Sequence, residues 1–181
     1  MKLVVDYSQP FSLLDWKLIE HPTRTDTVTI DTDDIEAITT LKDDEDYVQG
    51  EENLTRIKAT GKTLLDARVL EELLKHPEAI PEKWKQETNG YITDIFFPGT
   101  VLMDPDGYRC VLCLYWDDGG WHWSDGWLER DWRASNLSAV LASSALSPLD
   151  SESKPSDTLN LDGLEIEIEG MRYKLKKLDG K

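Results

Sequence analysis

The sequence predicts an α+β domain: a compact, mostly antiparallel sheet with one or two helices and a long tryptophan-framed loop region. Three observations carry that expectation. The segment TLLDARVLEELLKHP (63–77) has helical hydrophobic spacing. Short β-rich runs lie around it, divided by Pro-, Gly- and Asp-rich turns. The stretch LYWDDGGWHWSDGWLERDW (114–132) gathers five of the seven tryptophans, with Asp, Gly, Ser and His between them.

Taken in order, residues 2–7 and VTI (28–30) are candidate strands, and the start reads as a first strand rather than a secretory signal. FSLLDWKLIEHP (11–22) is expected to form a short helix that stops before Pro22, because a residue preceding proline is pushed out of the helical region. Ile35, Ile38 and Leu41 fall at helical spacing and suggest a weak helix followed by a loop. In the main helix, Thr63 and Asp66 have capping-box spacing, and Leu65, Val69, Leu70, Leu73 and Leu74 form the apolar stripe. His76–Pro77 ends it, and IPEKWKQ (80–86) follows as a short turn that buries Trp84.

From Tyr91 the pattern changes to strand. YITDIFF and TVLMD precede the turn DPDG (104–107), so residues 100–116 read as a hairpin. Asp117–Gly120 is a second hairpin signal, and 112–123 reads as a strand pair. NLSAVLASSALS (136–147) is a packed strand or short helix. These elements make a main domain over 1–146, a Ser/Pro/Asp linker over 147–157 and a C-terminal hairpin over 158–181. The last turns at Glu169–Gly170, with Glu165 and Glu167 opposite Arg172 and Lys174. A lone hairpin is only marginally stable, so docking on the main sheet is expected.

Composition bounds the function. The 181 residues are 39% hydrophobic, enough for a real core. Net charge is −16, and residues 26–52 hold eleven acids against Lys42 alone. Such a field disfavours direct binding of nucleic acid or an anionic membrane. No apolar run reaches membrane-spanning length. Cys110 and Cys113 form a CxxC inside a strand-like run, where positions three apart point to opposite faces and their sulfurs diverge. The chain has neither a second CxxC nor a Cys/His pair to complete a zinc site. Reduced structural thiols suit a cytoplasmic location.

No GxGxxG, P-loop, GxSxG, HExxH or EF-hand pattern is present, so neither cofactor nor resident metal is expected. DTDD (31–34) and DDED (43–46) lack the glycine and terminal glutamate of a calcium loop. His21 and His76 precede prolines and are read as closing helices. His122, beside Asp118 and Asp125 in sequence, is the one candidate general base, without a nucleophile in an activating arrangement.

The tryptophans suggest pegs that hold down a loop whose polar side chains face outward. Those polar residues, Asp117, Asp118, His122, Ser124, Asp125, Arg130, Asp131, Arg133, Ser135 and Asn136, are the candidate ligand-binding surface. The bland alternative is an aromatic core with polar turns.

The run from IPEKWK (80–85) through FFPGTVLMDPDGYRCVLCLYWDDGGWHWSDGWLERDWRASNLSAVLAS resembles small bacterial proteins frequent in candidate-phylum genomes, over residues 64–144. It also resembles the variable region of diversity-generating-retroelement target proteins, which have a C-type-lectin-like fold. That resemblance implies a fixed Trp-Leu and Asp-Trp frame with diversified Asp, Gly, His, Ser, Arg or Asn between, Glu129 being the exception. It implies a binding protein of a bacterium or phage, without catalysis, and with it a loose surface Ca²⁺ gains weight. The expected function is a non-catalytic module presenting residues 116–136 to a protein or small ligand. The alternatives are an acidic, nucleic-acid-mimicking inhibitor or immunity-type protein acting through 26–52, and a hydrolase centred on His122.

Overall fold

A computed structural model describes residues 1–142, together with the backbone of Ser147–Pro148, Glu165–Ile168 and Met171–Lys174. Its contacts divide the chain into two units, Met1–Leu149 and Asp150–Lys181. The first unit runs β1 (Lys2–Asp6), β2 (Lys17–Glu20), β3 (Thr27–Asp31), β4 (Ile35–Ile38), β5 (Tyr47–Gln49), α1 (Gly50–Ala59) and α2 (Ala67–Lys75). It continues with β6 (Asp94–Phe96), β7 (Val101–Met103), β8 (Arg109–Asp117), β9 (Gly120–Trp127), β10 (Asp131–Arg133), β11 (Asn136–Leu141) and β12 (Ser147–Pro148). The mixed α+β class with two helices and mainly antiparallel strands agrees with the sequence.

The large sheet has the order β2-β7-β8-β6-β11-β4, and β9 covers the other edge of β8. β6 and β7 are two pieces of one interrupted strand along β8: Ile95 opposes Leu114, whereas Leu102 opposes Cys110. Between them Gly99 passes so close to the 64–66 backbone that a Cβ would fall 2.9 Å from the Leu64 and Leu65 carbonyl oxygens. β6 and β11 form the one parallel pair among the described strands. Smaller sheets are β1-β3-β12 and β10-β5.

Alternation along the central strands divides the core in two. Ile95, Phe97, Leu102, Cys110, Leu112 and Leu114 face α2 and the inner side of β1 and β3, where Leu3, Val5, Val28, Val69, Leu70 and Leu73 meet them. Phe96, Val101, Val111, Cys113 and Val140 face the other way, onto Leu54 and Ile57 of α1 and onto Leu128 and Trp132. The two cysteines are therefore free, buried and on opposite faces, as their spacing predicted.

Several local expectations are corrected. Residues 11–22 form no helix: Lys17–Glu20 is β2, paired to β7. His21 therefore closes no helix; its Nδ1 lies 2.8 Å from Thr100 Oγ1. Ile35–Ile38 is a strand paired to β11, and the helix of that region is α1, further along. The cap of α2 is Asp66, whose Oδ1 accepts from the Arg68 and Val69 amides at 2.8 and 3.3 Å. Thr63 caps nothing, because 63–65 is extended, its carbonyl bonded to the Leu141 amide and Leu64 bridged to Val140. As expected, His76 ends α2, Trp84 is buried in a 3-10 turn and DPDG joins β7 to β8.

Ser147 and Pro148, assigned to the linker from sequence, pair with Thr29 and Val28 of β3. In the second unit β13 (Glu165–Ile168) and β14 (Met171–Lys174) pair in the anticipated register, with Glu165 opposite Lys174 and Glu167 opposite Arg172. The rest of the linker and the docking of that hairpin lie outside the described residues.

Candidate functional site

The tryptophan-rich stretch is built on the β8–β9 hairpin. Asp118 and Gly119 both have positive φ (46° and 76°), the pair a type I′ turn requires, and this tight turn sets the register. Pairing runs without a break from Asp117↔Gly120 to Cys110↔Trp127. The strand pair expected over 112–123 is present and continues through Trp127, where loop was expected. Backbone hydrogen bonds, rather than indole pegs alone, immobilise it.

The tryptophans divide between environments. Of the five in the stretch, only Trp132 is fully buried, 4% exposed, stacked on Phe96 at 4.0 Å between centroids, with its Nε1 donating to the Trp127 carbonyl. Trp121 and Trp127 are half-buried against the α2-side core, and Trp116 meets Trp121 edge-on at 5.3 Å. Trp123 is 38% exposed. A buried tryptophan contributes roughly 2–3 kcal/mol through the area it removes from water, so within the stretch Trp132 alone receives the full effect.

β9 is an edge. Leu128 N donates to Arg109 O, and counting back from that pair gives His122, Ser124 and Gly126 as the residues bonded to β8. The alternate residues, Trp121, Trp123 and Asp125, point their backbone N–H and C=O outward. They meet no backbone partner among the described residues.

On the α1-side face, the same hairpin borders a cavity of about 290 Å³ lined by Ile92, Asp94, Phe96, Cys113, Tyr115 and Ser124, with Asp125 of the β9 edge also reaching its lining. Asp94, the first residue of β6, is the more deeply buried of its two acidic residues. Asn136 Nδ2 donates to Asp94 Oδ2 at 2.9 Å, and Asn136 Oδ1 accepts from the Arg133 amide at 2.8 Å. Burial raises the Asp94 carboxyl above the ordinary range, partly opposed by the Asn136 bond, and no described cation forms an ion pair with it. Tyr115 and His122 stack at 5.5 Å, and Arg133 lies over the exposed Tyr91 ring at 5.6 Å. Across the β5–β10 ladder Arg133 opposes Tyr47, which follows the acidic run 43–46.

The predicted residues therefore do not form one surface. His122, Ser124, Arg133 and Asn136 gather round Asp94 and Tyr115. Asp117 and Asp118 are exposed at the hairpin tip, where they shape the turn. Asp125 opposes Leu112, so its side chain belongs to the α2-side face, and burial followed by the Asp104 charge raises its carboxyl. Arg130 covers the Trp127 ring at 4.6 Å, and Asp131 is exposed on β10. Ser135 is buried and is corrected from contact residue to scaffold, its carbonyl accepting the Asp94 amide. Asp94, Tyr115, Ile92 and Tyr91 were missed; a single Asp in YITDIFF carries no pattern that marks it.

Among the described residues His122 has no carboxylate partner. Its Nε2 lies 3.2 Å from the Asp117 carbonyl, which only accepts, so this nitrogen carries the proton. Burial pushes Cys110 up to about 12 and Cys113 well above its ordinary value, so neither is poised as a thiolate. Among the described residues, no three His, Cys, Asp or Glu side chains converge as metal ligands, and no helix is long and apolar enough to cross a membrane.

The acidic segment is partly neutralised by its own chain. Glu45 and Glu52 pair with Arg56, Glu51 with Arg109, and Glu36 with Lys62. Arg56 holds the Glu45 carboxyl down at about 2. Asp33, Asp34, Asp43, Asp44 and Asp46 are exposed and have no ion-pair partner among the described residues.

No family model, curated protein or solved structure matches the chain.

Proposed function

We propose that the protein is a non-catalytic binding module whose recognition surface is the β8–β9 hairpin and the Asp94 cavity beside it. The observation that carries the reading is the open edge of β9: three consecutive outward-facing backbone positions, at Trp121, Trp123 and Asp125, on a rigid strand next to a polar, aromatic-lined hollow. An extended segment of a partner protein added along such an edge gains main-chain hydrogen bonds, and adjoining pockets select its side chains. The retroelement resemblance fits this in one respect: Asp117, Asp118 and His122 are exposed, whereas Trp121, Trp127 and Trp132 are turned into the protein. A C-type-lectin-like relationship remains part of the proposal.

A second reading, the acidic inhibitor, is favoured by Asp43, Asp44 and Asp46, which have no ion-pair partner among the described residues and sit beside the same surface through the Tyr47–Arg133 register. Capture from native cells separates the two. The wild-type chain is compared with Trp123→Pro, which removes an outward N–H from an edge where proline is tolerated, and with Asp43, Asp44 and Asp46 all changed to Asn. Loss of a specific captured protein with Trp123→Pro alone supports the hairpin surface. Loss with the neutralised variant alone, together with steep weakening in salt, supports the inhibitor.

A further inference from the structure

Residues 7–16 run irregularly from β1 to β2 and fold over the start of α2, enclosing a cavity of about 330 Å³. Its walls include Tyr7, Phe11, Leu14, Trp16, His21 and Arg68. None of these belongs to the hairpin surface, so a ligand held here is independent of any partner on β9.

Arg68 is the unexplained group. Its side chain is only 8% exposed. Nη1 donates to the Pro10 carbonyl at 3.0 Å, with Glu71 Oε2 at 3.8 Å from the same nitrogen. Nε and Nη2 have no acceptor among the described residues and are not sealed from solvent, so this edge of the guanidinium opens into the cavity. That Nε–Nη2 edge is a fork that grips a carboxylate in two parallel hydrogen bonds. Arg24, by contrast, fills its own fork with Asp26, at 2.8 and 2.6 Å.

The neighbouring groups are already committed. Asp66 accepts from the Tyr7 hydroxyl at 2.7 Å and from two α2 amides, so it is not the missing partner. Burial, then the charge of Asp66, drives the Tyr7 hydroxyl far above its ordinary value and keeps the phenol neutral. Thr100 Oγ1 accepts the Ala67 amide at 3.1 Å and shares a hydrogen bond with His21 Nδ1 at 2.8 Å. Burial lowers His21, so the ring is neutral near pH 7. The cavity thus offers one open cationic fork and one neutral ring against aromatic and aliphatic walls, with the exposed Asp15 carboxylate also in its lining, on the solvent side.

We infer that this cavity binds a small organic carboxylate with an aromatic or branched apolar body, its carboxylate on the Nε–Nη2 edge of Arg68 and its body against Phe11, Leu14 and Trp16. The volume is at the small end of the range for small-molecule sites, ~300–1,000 Å³.

The test titrates the full chain with sodium benzoate, using amide chemical shifts, and with benzamide, benzylamine and inorganic phosphate as comparators. Saturable benzoate shifts are expected across residues 7–24 and 66–69, with benzamide and benzylamine giving none there and phosphate much weaker ones. Arg68→Lys, which keeps the charge and loses the fork, is expected to weaken benzoate about tenfold. Because Arg68 is buried and that variant risks misfolding, Leu14→Trp is the second variant: it fills the cavity from a half-exposed loop and is expected to abolish the shifts. No saturable shifts in these residues, equal binding of benzamide or of phosphate, or full binding by Leu14→Trp overturns the inference.

Discussion

The ring of Phe96 lies directly on the backbone of Gly126: a Cβ at that glycine would fall 2.4 Å from Phe96 Cε1 and 2.8 Å from Cζ. Phe96 is on β6 and Gly126 on β9, with β8 between them, so the ring crosses a strand to reach the edge. It also stacks on Trp132, and one contact chain ties the central sheet, the edge strand and β10 together. Gly126→Ala is therefore expected to displace the ring and destabilise the protein by about 1–3 kcal/mol, as overpacked cores do. Urea unfolding measures this; an unchanged midpoint would mean that the ring can move freely.

The tryptophans should separate by burial. Trp132→Ala leaves a cavity under α1 and beside Phe96 and is expected to cost about 3–5 kcal/mol. Trp123→Ala, at an exposed edge position, should cost less than about 1 kcal/mol. Equal losses in thermal or urea unfolding would show that both rings serve the core.

Asp94→Asn tests the cavity's electrostatics. A carboxyl raised by burial favours the fold when protonated, so its contribution is full in acid and is lost as pH rises through the raised value. The asparagine variant, neutral throughout, should gain melting temperature relative to wild type as pH rises from about 4 towards 7. The Asn136 side chain can still donate to the new amide oxygen. A difference between the two proteins that is constant with pH would contradict the assignment.

The cap of α2 gives a clean pair of variants. Asp66→Ala removes the acceptor of two backbone amides and the partner of Tyr7, so the loss should reach or exceed the upper part of the usual cap range, about 2 kcal/mol. Thr63→Ala should be close to neutral, since only its backbone is bonded to Leu141. The reverse order in chemical denaturation would restore the capping box.

Much of this fold was legible because local chemistry and tertiary packing agree there. Asp118–Gly119 can only be a tight turn, and the α2 stripe of Val69, Leu70 and Leu73 is the one buried against the sheet. The failures occur where partners decide. In GEENLTRIKA the apolar signal is Leu54 and Ile57, too sparse to announce a helix. α1 forms because Gly50 fits against Leu128 and Trp132, where a Cβ would fall 2.8 Å from Leu128 Cα. Ile35 and Ile38 have helical spacing by coincidence, and pairing with β11 overrides it. β2 is an exposed edge strand with no inward–outward alternation to read.

The candidate site was half legible for the same reason. Turn chemistry and Trp spacing located the hairpin, but not which of its two faces each polar residue shares. Phase along β9 puts His122 and Ser124 with Asp94 and sends Asp125 to the opposite side. Asp94 itself comes from a strand two positions across the sheet, beyond the reach of sequence spacing.

The most direct test of the account is residue-resolved amide hydrogen exchange along β9 in the free protein. The hairpin geometry predicts alternation: slow exchange at His122, Ser124 and Gly126, fast exchange at Trp121, Trp123 and Asp125. Fast exchange at all six would mean a loose loop, and slow exchange at all six would mean a covered edge. Either result would contradict the claim that this strand is held on one side and open to a partner on the other.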